Sequence, residues 1–516
     1  MSDVDLQTTT VRDVEQLRTF AALASLGYVF WVCGGMEMVE RLAYYGVRQV
    51  SGLYATDAVS HGGLGLVASD LGIIFGVWAV VQTFVPVFTG GISDRIGYKV
   101  TIFASTIIKI LGYLTMAWFA SFWGFMAGAV ILAFGTGIFK PGIQATIVKS
   151  TNRRNSSMAW GAFYQTVNIG AFIGPIVAAQ MRQLAWHNVF YACASIIAIN
   201  FLLLATYKEP GKDERLARRA ALKQSGVVEV PLYKESLKEL LDPTLLWYIL
   251  LFSGFWFSLY LIWDVGPLYF RDWVDTRPLV AGLFGPGGTS NEGLIFFFGL
   301  SRDGTRMMPE GLVNLDAMAI MFICFLVAGF GARFRATNAM SMGAVIASLS
   351  LLAIGLFTSA WVVAAAIIVF SIGEMLSSPK SSEFLGNIAP SDKKAMYLGF
   401  SQIPIGVGWT LESYLGPTLY GAFASKEELS RDALQVHGMT AVQIHSVPIG
   451  EAFDKLVAIT GQTPEAVTAT LYNSHNIGAL WYLAAGVGLL TAVGLYIYGH
   501  WTYRRAMHTE ARPANQ

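Results

Sequence analysis

Between Glu37 and Arg48 the chain reads Glu-Met-Val-Glu-Arg-Leu-Ala-Tyr-Tyr-Gly-Val-Arg, inside an apolar run from about Leu26 to Leu53. At the pitch of an α-helix, Glu37, Glu40, Arg41, Tyr44 and Arg48 fall within an arc of roughly 100°, with Tyr45 at its edge. A carboxylate beside an arginine is stabilised by the cation and opposed by burial. Such a pair changes protonation when a competing carboxylate takes the arginine. Each charge at the centre of a bilayer costs at least ~2.5 kcal/mol, so the stripe must face a protein interior or a water-filled cavity. It is either a functional site or a self-neutralising cluster that glues helices together.

Other ionisable residues lie deep in apolar segments. Lys140 precedes Pro141, which frees a backbone carbonyl and bends its helix. A lone buried lysine sheds its proton, so Lys140 needs Asp264, a glutamate of the first helix, or an anionic ligand. Glu374 stands on an otherwise apolar segment of the second half, and Asp316 opens another. The first half thus offers excess cation (Arg41, Arg48, Lys140) and the second offers anion (Asp264, Asp316, Glu374). That polarity fits a zwitterion with its carboxylate toward the first half and its amine toward the second. Lys109 and Glu412 belong to no motif and are expected to form helix-packing pairs.

The elements that carry these residues follow from composition. The 516 residues are 54% hydrophobic and 13% charged, with mean hydropathy +0.51; soluble domains carry about 25% charged residues, so the chain is read as polytopic. Candidate spans run about 26–53, 68–91, 100–121, 123–148, 157–181 and 186–206, then 244–270, 312–331, 338–358, 360–387, 395–420 and 476–502. Each holds the ~20 apolar residues that cross a bilayer. The expected architecture is an all-α membrane protein of twelve transmembrane helices in two six-helix bundles, 26–206 and 244–502. Flanking them are an N-terminal segment 1–25, a linker 207–243 and a tail 503–516.

Lys and Arg set the orientation. Arg95 and Lys99, Lys149 with Arg153 and Arg154, Lys208 to Lys223, Arg333 with Arg335, Lys393 with Lys394, and Arg504 with Arg505 all fall on one side. Both termini are therefore expected in the cytoplasm of a protein in the inner or plasma membrane. Met1 to Arg18 is polar and predicts no cleavable leader. The outer loops 271–311 and 421–475 are longer than a connection requires; the second, with helical periodicity at Lys426–Leu434 and Ile449–Ile459, is either a small cap over the outer mouth or an insertion with no functional part. Cys33, Cys193 and Cys324 predict neither a disulfide framework nor a metal site, and a net charge of +1 excludes a nucleic-acid footprint.

The loop Gly90-Gly-Ile-Ser-Asp-Arg-Ile-Gly-Tyr-Lys99 resembles the cytoplasmic-loop signature of the major facilitator superfamily. Glu37-x-x-Glu40-Arg41-x-x-Tyr44-Tyr45-Gly46 is similar to the first-helix motif of its proton-coupled oligopeptide transporters. The resemblance continues in Gly135-Thr-Gly-Ile-Phe-Lys140-Pro141, Asn168-Ile-Gly-Ala171, Trp263-Asp264 and Gly373-Glu374-Met-Leu-Ser-Ser-Pro379. It implies that Arg48 and Lys140 hold a peptide carboxylate, that Asn168 and Glu374 hold its amino terminus, and that Tyr44 and Tyr45 line the pocket. Glu37, Glu40 and Arg41 would couple proton binding to that carboxylate. Asp264 would exchange partners between Lys140 and Arg48 as the gates alternate.

The implied function is proton-coupled import of di- or tripeptides, or of peptide-like amine and carboxylate solutes, by alternating access of the two bundles. No cofactor is implied beyond the proton as coupling ion. The partners would be a small zwitterion, protons and the bilayer, with the chain working as a monomer. Three positions depart from the family pattern: Phe84 replaces a tyrosine before Pro86, Leu315-Asp316-Ala317 stands for Leu-Asn-Pro, and Lys380 with Glu383 adds charges at i, i+3 that can pair. They leave the substrate more open than the fold. A drug or metabolite antiporter of the same superfamily would have little reason for Lys140 beside Glu37-x-x-Glu40-Arg41. A sensor that no longer transports would show a broken coupling motif or a fused signalling domain. An enzyme is not expected, since no nucleophile has a placed base.

Overall fold

The computed structural model describes residues 19–510 apart from 153–154, 214–215, 218–239, 332, 389–396 and 398–399. Twelve long helices organise it. The first six are α1 (Tyr28–Thr56), α2 (Ala68–Ile96), α3 (Tyr98–Trp118), α4 (Phe122–Ser150), α5 (Ser156–Arg182) and α6 (Trp186–Ala205). The second six are α7 (Pro243–Asp264), α8 (Leu315–Gly331), α9 (Ala336–Leu356), α10 (Ala360–Ile388), α11 (Gln402–Phe423) and α12 (Ala479–Glu510). Within the first set α1 packs on α5 and α6, and α4 on α2 and α3. In the second, α7 packs on α11 and α12, and α10 on α8 and α9. The halves meet mainly where α2 lies on α11 and α5 on α8.

Nine helices among the described residues are long and apolar enough to cross a membrane by length and composition. The other three are explained by what they carry. Helix α1 holds four buried charges, Glu37, Glu40, Arg41 and Arg48; α8 has 17 residues; and α11 mixes Glu412 with glycines, prolines and tyrosines.

Local signals account for the ends. Asp242 caps α7, accepting from Thr244 N at 2.8 Å, and Pro243 begins the helix where no N–H is needed. The expected span 244–270 is broken at Val265, and a separate short helix runs Gly266–Trp273. Pro267 supplies no N–H to continue the ladder. The last helix, expected over 476–502, runs Ala479–Glu510, through much of the expected tail. Residues 1–18, most of the linker 207–243, Arg153, Arg154, Lys393 and Lys394 lie outside the described residues, as do the side chains of Asp94 and Arg95. At the other end of that loop Lys99 Nζ donates to the Tyr207 carbonyl at 2.7 Å, and Glu209 accepts from the Tyr98 and Lys99 N–H groups at 3.2 and 3.3 Å.

The segment 421–475 folds into four short helices, Lys426–Val436, Ala441–His445, Ala452–Thr460 and Pro464–Ser474. Arg431 binds them together, donating to the carbonyls of Ile444 and Val447, each at 3.0 Å. With residues 271–277 and 306–309 this layer encloses a cavity of about 970 Å³, which Arg182 and Trp186 of the first half also line.

Asp272 anchors the layer. It pairs with Arg271 at 2.8 Å, and accepts from the Tyr420 hydroxyl and from Lys426 N at 3.4 Å. Burial pushes its carboxyl up, but Arg271, Lys426 and the Tyr420 hydroxyl together hold it below its ordinary value of 3.8. Its stabilisation is therefore present above pH 3.8 and lost as pH falls through the lower folded value. Asp272→Asn is expected to speed amide exchange in Lys426–Val436 about tenfold at neutral pH, and to remove acid sensitivity there. Hydrogen–deuterium exchange across a pH series checks this.

Candidate functional site

The charged stripe of α1 points inward. Glu37 is 4% exposed, Glu40 0%, Arg41 6% and Arg48 5%. Arg41 Nε lies 2.7 Å from Glu37 Oε1 and 3.0 Å from Glu40 Oε2. The other Glu40 oxygen is 3.4 Å from Lys109 Nζ on α3, a fully buried ammonium that also sits 3.9 Å from the centre of the Phe139 ring. Glycines of the recognised motifs make this assembly possible. A Cβ on Gly135 would lie 2.7 Å from Lys109 Cγ, and one on Gly170 would lie 2.8 Å from Arg41 Cβ. Side chains at either position would push α3 or α1 away from its neighbour.

Arg48 leaves the cluster and crosses to the other half. Its Nη2 binds Asp264 Oδ2 at the end of α7, and that oxygen also accepts from Ser413 Oγ at 3.1 Å. Its guanidinium stacks 3.8 Å from the Phe75 ring centre, with Trp78 at 5.0 Å and Trp409 at 5.5 Å. Three rings and one carboxylate thus hold the cation in a site closed to water. Glu412, one residue before Ser413, is wholly buried and interacts with Asp264 and Arg48.

The other acids of the second half gather between α8 and α10. Asp316 is 0% exposed; its Oδ1 accepts from Ser371 Oγ at 2.6 Å, and its Oδ2 has no hydrogen-bond partner among the described residues. Glu374, one turn beyond Ser371, faces Asp316 and the Tyr164 ring of α5, and among the described residues its Oε2 likewise has no partner. Tyr45 spans the seam to Trp263, ring centres 5.5 Å apart, and Tyr44 packs edge-on against Trp78. Lys140 lies beside the Glu37, Glu40 and Arg41 group, with no hydrogen bond or ion pair among the described residues.

The structure therefore brings Glu37, Glu40, Arg41, Tyr44, Tyr45, Arg48, Asp264, Asp316 and Glu374 onto the facing surfaces of two halves. Asp264 pairs with Arg48, and forms no ion pair with Lys140 among the described residues in this conformation. Asn168 is turned to its own helix, donating to the Tyr164 carbonyl at 3.0 Å. Lys380 and Glu383 pair at 2.6 Å, as their spacing suggests. Lys109 does form a helix-packing pair, and its partner is the central Glu40. Glu412 instead meets another acid, Asp264, beside Arg48, and no hydrogen-bond donor reaches either of its oxygens among the described residues. The signal for Lys109 was available, because a cation deep in a span has to answer to an anion.

At the end bearing the long loops, further contacts bind the halves. Arg182 at the end of α5 binds Glu310 through both oxygens. Asn314 Nδ2 donates to the Phe172 carbonyl at 2.7 Å, and Gln180 to that of Leu300 at 3.0 Å. With Arg48–Asp264 they close this end.

Residues 42–332, more than half of the chain, match the sequence family described as the Major Facilitator Superfamily. The multidrug resistance protein MdtH of Edwardsiella ictaluri (strain 93-146) is 22% identical over 388 residues, 74% of this chain and 85% of that protein. The MdtH of Yersinia enterocolitica is 21% identical over 362 residues, 69% of this chain and 79% of the relative. Among solved structures, the peptide transporter POT in complex with sulfate superposes with a TM-score of 0.63 at 15% identity, covering 94% of this chain and 98% of that one. A POT family transporter in complex with thioalcohol conjugated peptide gives 0.64 at 15%, covering 93% and 99%. The nucleoside transporter NupG gives 0.63 at 12%, covering 91% and 99%.

Proposed function

The chain belongs to the major facilitator superfamily, an integral membrane transporter and not an enzyme, and from that premise we propose that it imports short peptides or similar zwitterions together with protons. One observation carries the reading: Lys140 on the first half and Glu374 on the second both lack an ion-pair partner among the described residues. A free ammonium and a free carboxyl on opposite walls suit the two ends of a peptide, each end supplying the charge its wall needs. Arg41 is already shared by Glu37 and Glu40. A substrate carboxylate drawing on Arg41 would leave a buried glutamate undercompensated, which favours its protonation. Proton and substrate then travel together.

Alternating access follows in this reading from the contacts between the halves. The conformation described is closed at the long-loop end by Arg48–Asp264 and Arg182–Glu310. With the termini in the cytoplasm, that end faces outward and the molecule is occluded from outside. Both pairs must separate for a substrate to enter.

Uptake of labelled dialanine into liposomes tests this. A pH gradient, acid outside, is expected to drive accumulation by the wild type, and Glu37→Gln to lower it at least about tenfold, the rate a lost charged hydrogen bond allows. No gradient-dependent uptake beside a working control would sink the peptide assignment, and undiminished uptake by Glu37→Gln would sink the coupling role. A second reading, proton-driven efflux of drug-like cations, is favoured by the relatives named for multidrug resistance. It predicts loss of a cationic dye, and no dialanine uptake, under the opposite gradient.

A further inference from the structure

The charges of the two halves do not balance. Arg41, Arg48, Lys109 and Lys140 exceed Glu37 and Glu40 by two cations on the first half. The second half faces them with four acids, Asp264, Asp316, Glu374 and Glu412. Fully ionised, the seam would hold two surplus negative charges away from water, which costs several kcal/mol per ion. A zwitterionic substrate changes nothing in that balance.

The surplus is sharpest at Glu412. It is 0% exposed, and among the described residues both its oxygens lack a hydrogen-bond donor, as does Asp264 Oδ1, the oxygen that Arg48 leaves free. The two carboxyl groups nevertheless interact directly. The charged groups facing Glu412 are Asp264 on α7 and Arg48 on α1, while α2 contributes the Phe75 and Trp78 rings around Arg48. Two carboxylates in contact repel and have no hydrogen to share; one proton between them joins a Glu412 oxygen to Asp264 Oδ1 in a hydrogen bond.

We propose that Glu412 and Asp264 form a carboxyl dyad that holds one proton beside Arg48, a proton-binding site separate from the Glu37, Glu40 and Arg41 cluster. In the closed state the proton resides on Glu412 and Asp264 stays ionised on Arg48. Its transfer from a Glu412 oxygen to Asp264 Oδ1 leaves Asp264 neutral and Glu412 anionic. The Arg48 link across the halves is then released, with no net charge moved into the seam. Glu412 is a positioning and proton-storing residue that does not touch substrate. The proposal rests on the proton-coupled reading above.

The test is infrared difference spectroscopy on the purified protein, together with the distance across the long-loop end between two spin labels, each followed over pH. The wild type is expected to show the C=O stretch of a protonated carboxyl in the closed state, and Glu412→Gln to lose it. In Glu412→Gln the amide donates permanently to Asp264, so opening should need more acid, with its midpoint lowered by about one pH unit. Glu412→Leu should also lose the band, and serves if the amide perturbs folding. A band that persists in both variants, or an opening midpoint unmoved in both while the wild type responds to pH, overturns the dyad and leaves proton coupling intact. A wild type whose opening and uptake both ignore pH overturns the coupled reading itself, and the dyad with it.

Discussion

Arg48→Ala is expected to lower the stability of the closed state by about 3–5 kcal/mol, because it strands Asp264 in a site that no water reaches. The argument is one of geometry. Asp264 Oδ2 has two donors, Arg48 Nη2 and Ser413 Oγ, and the second is neutral. Without the guanidinium, one hydroxyl remains for a carboxylate already beside Glu412. Part of the loss is also the stacking of the cation on Phe75, Trp78 and Trp409, worth about 0.5–2 kcal/mol. Thermal unfolding in detergent should show a fall in Tm that 1 M salt barely changes, since a buried pair is little screened. The double variant Arg48→Ala, Asp264→Ala should recover most of the loss, both partners having gone together. If the double variant is as unstable as the single, the pair is not what joins the halves. Uptake should vanish in both, since neither can form and break the link.

Much of this arrangement is legible in the chain. A stripe at helical spacing inside an apolar run can be buried only by facing other charges, so the inward face of α1 follows from Glu37, Glu40, Arg41 and Arg48 alone. Nine of the twelve spans follow from length and apolar composition among the described residues, while the break at Val265, where Pro267 supplies no N–H to the ladder, and the run of α12 to Glu510 do not. Pairings between distant helices are the illegible part. That Glu40 would divide its oxygens between Arg41 and Lys109 depends on Gly135 letting α3 approach. That Asp264 would take Arg48 and leave Lys140 depends on where α7 ends. Asp316 shows the same limit: the sequence marks a carboxylate where an amide was expected, and the structure shows the amide of Asn314 two residues earlier, bound to Phe172 of α5. Glu412 is illegible for a different reason, since its partner is another acid, and a pattern search for opposite charges passes over it.

The two buried lysines of the first half should behave in opposite ways. Lys109 is wholly buried, holds Glu40, and lies over Phe139. Lys109→Ala leaves Glu40 to Arg41 alone and opens a void beside Gly135, so it is expected to cost about 3–5 kcal/mol of stability. Lys140 holds nothing among the described residues, and its burial is already unfavourable for the ammonium. Lys140→Ala should therefore leave Tm unchanged or slightly raised. Its loss should appear in transport: removing a charged contact worth about 1.5–3 kcal/mol raises the KM for dialanine roughly ten- to hundredfold. Amidating the peptide's carboxylate should weaken uptake by the wild type and change little in Lys140→Ala, because the contact is missing from either side. The contrast separates structural charge from substrate charge. A Lys140→Ala protein that unfolds as readily as Lys109→Ala would place Lys140 in the packing network and leave the substrate carboxylate without its cation on that wall.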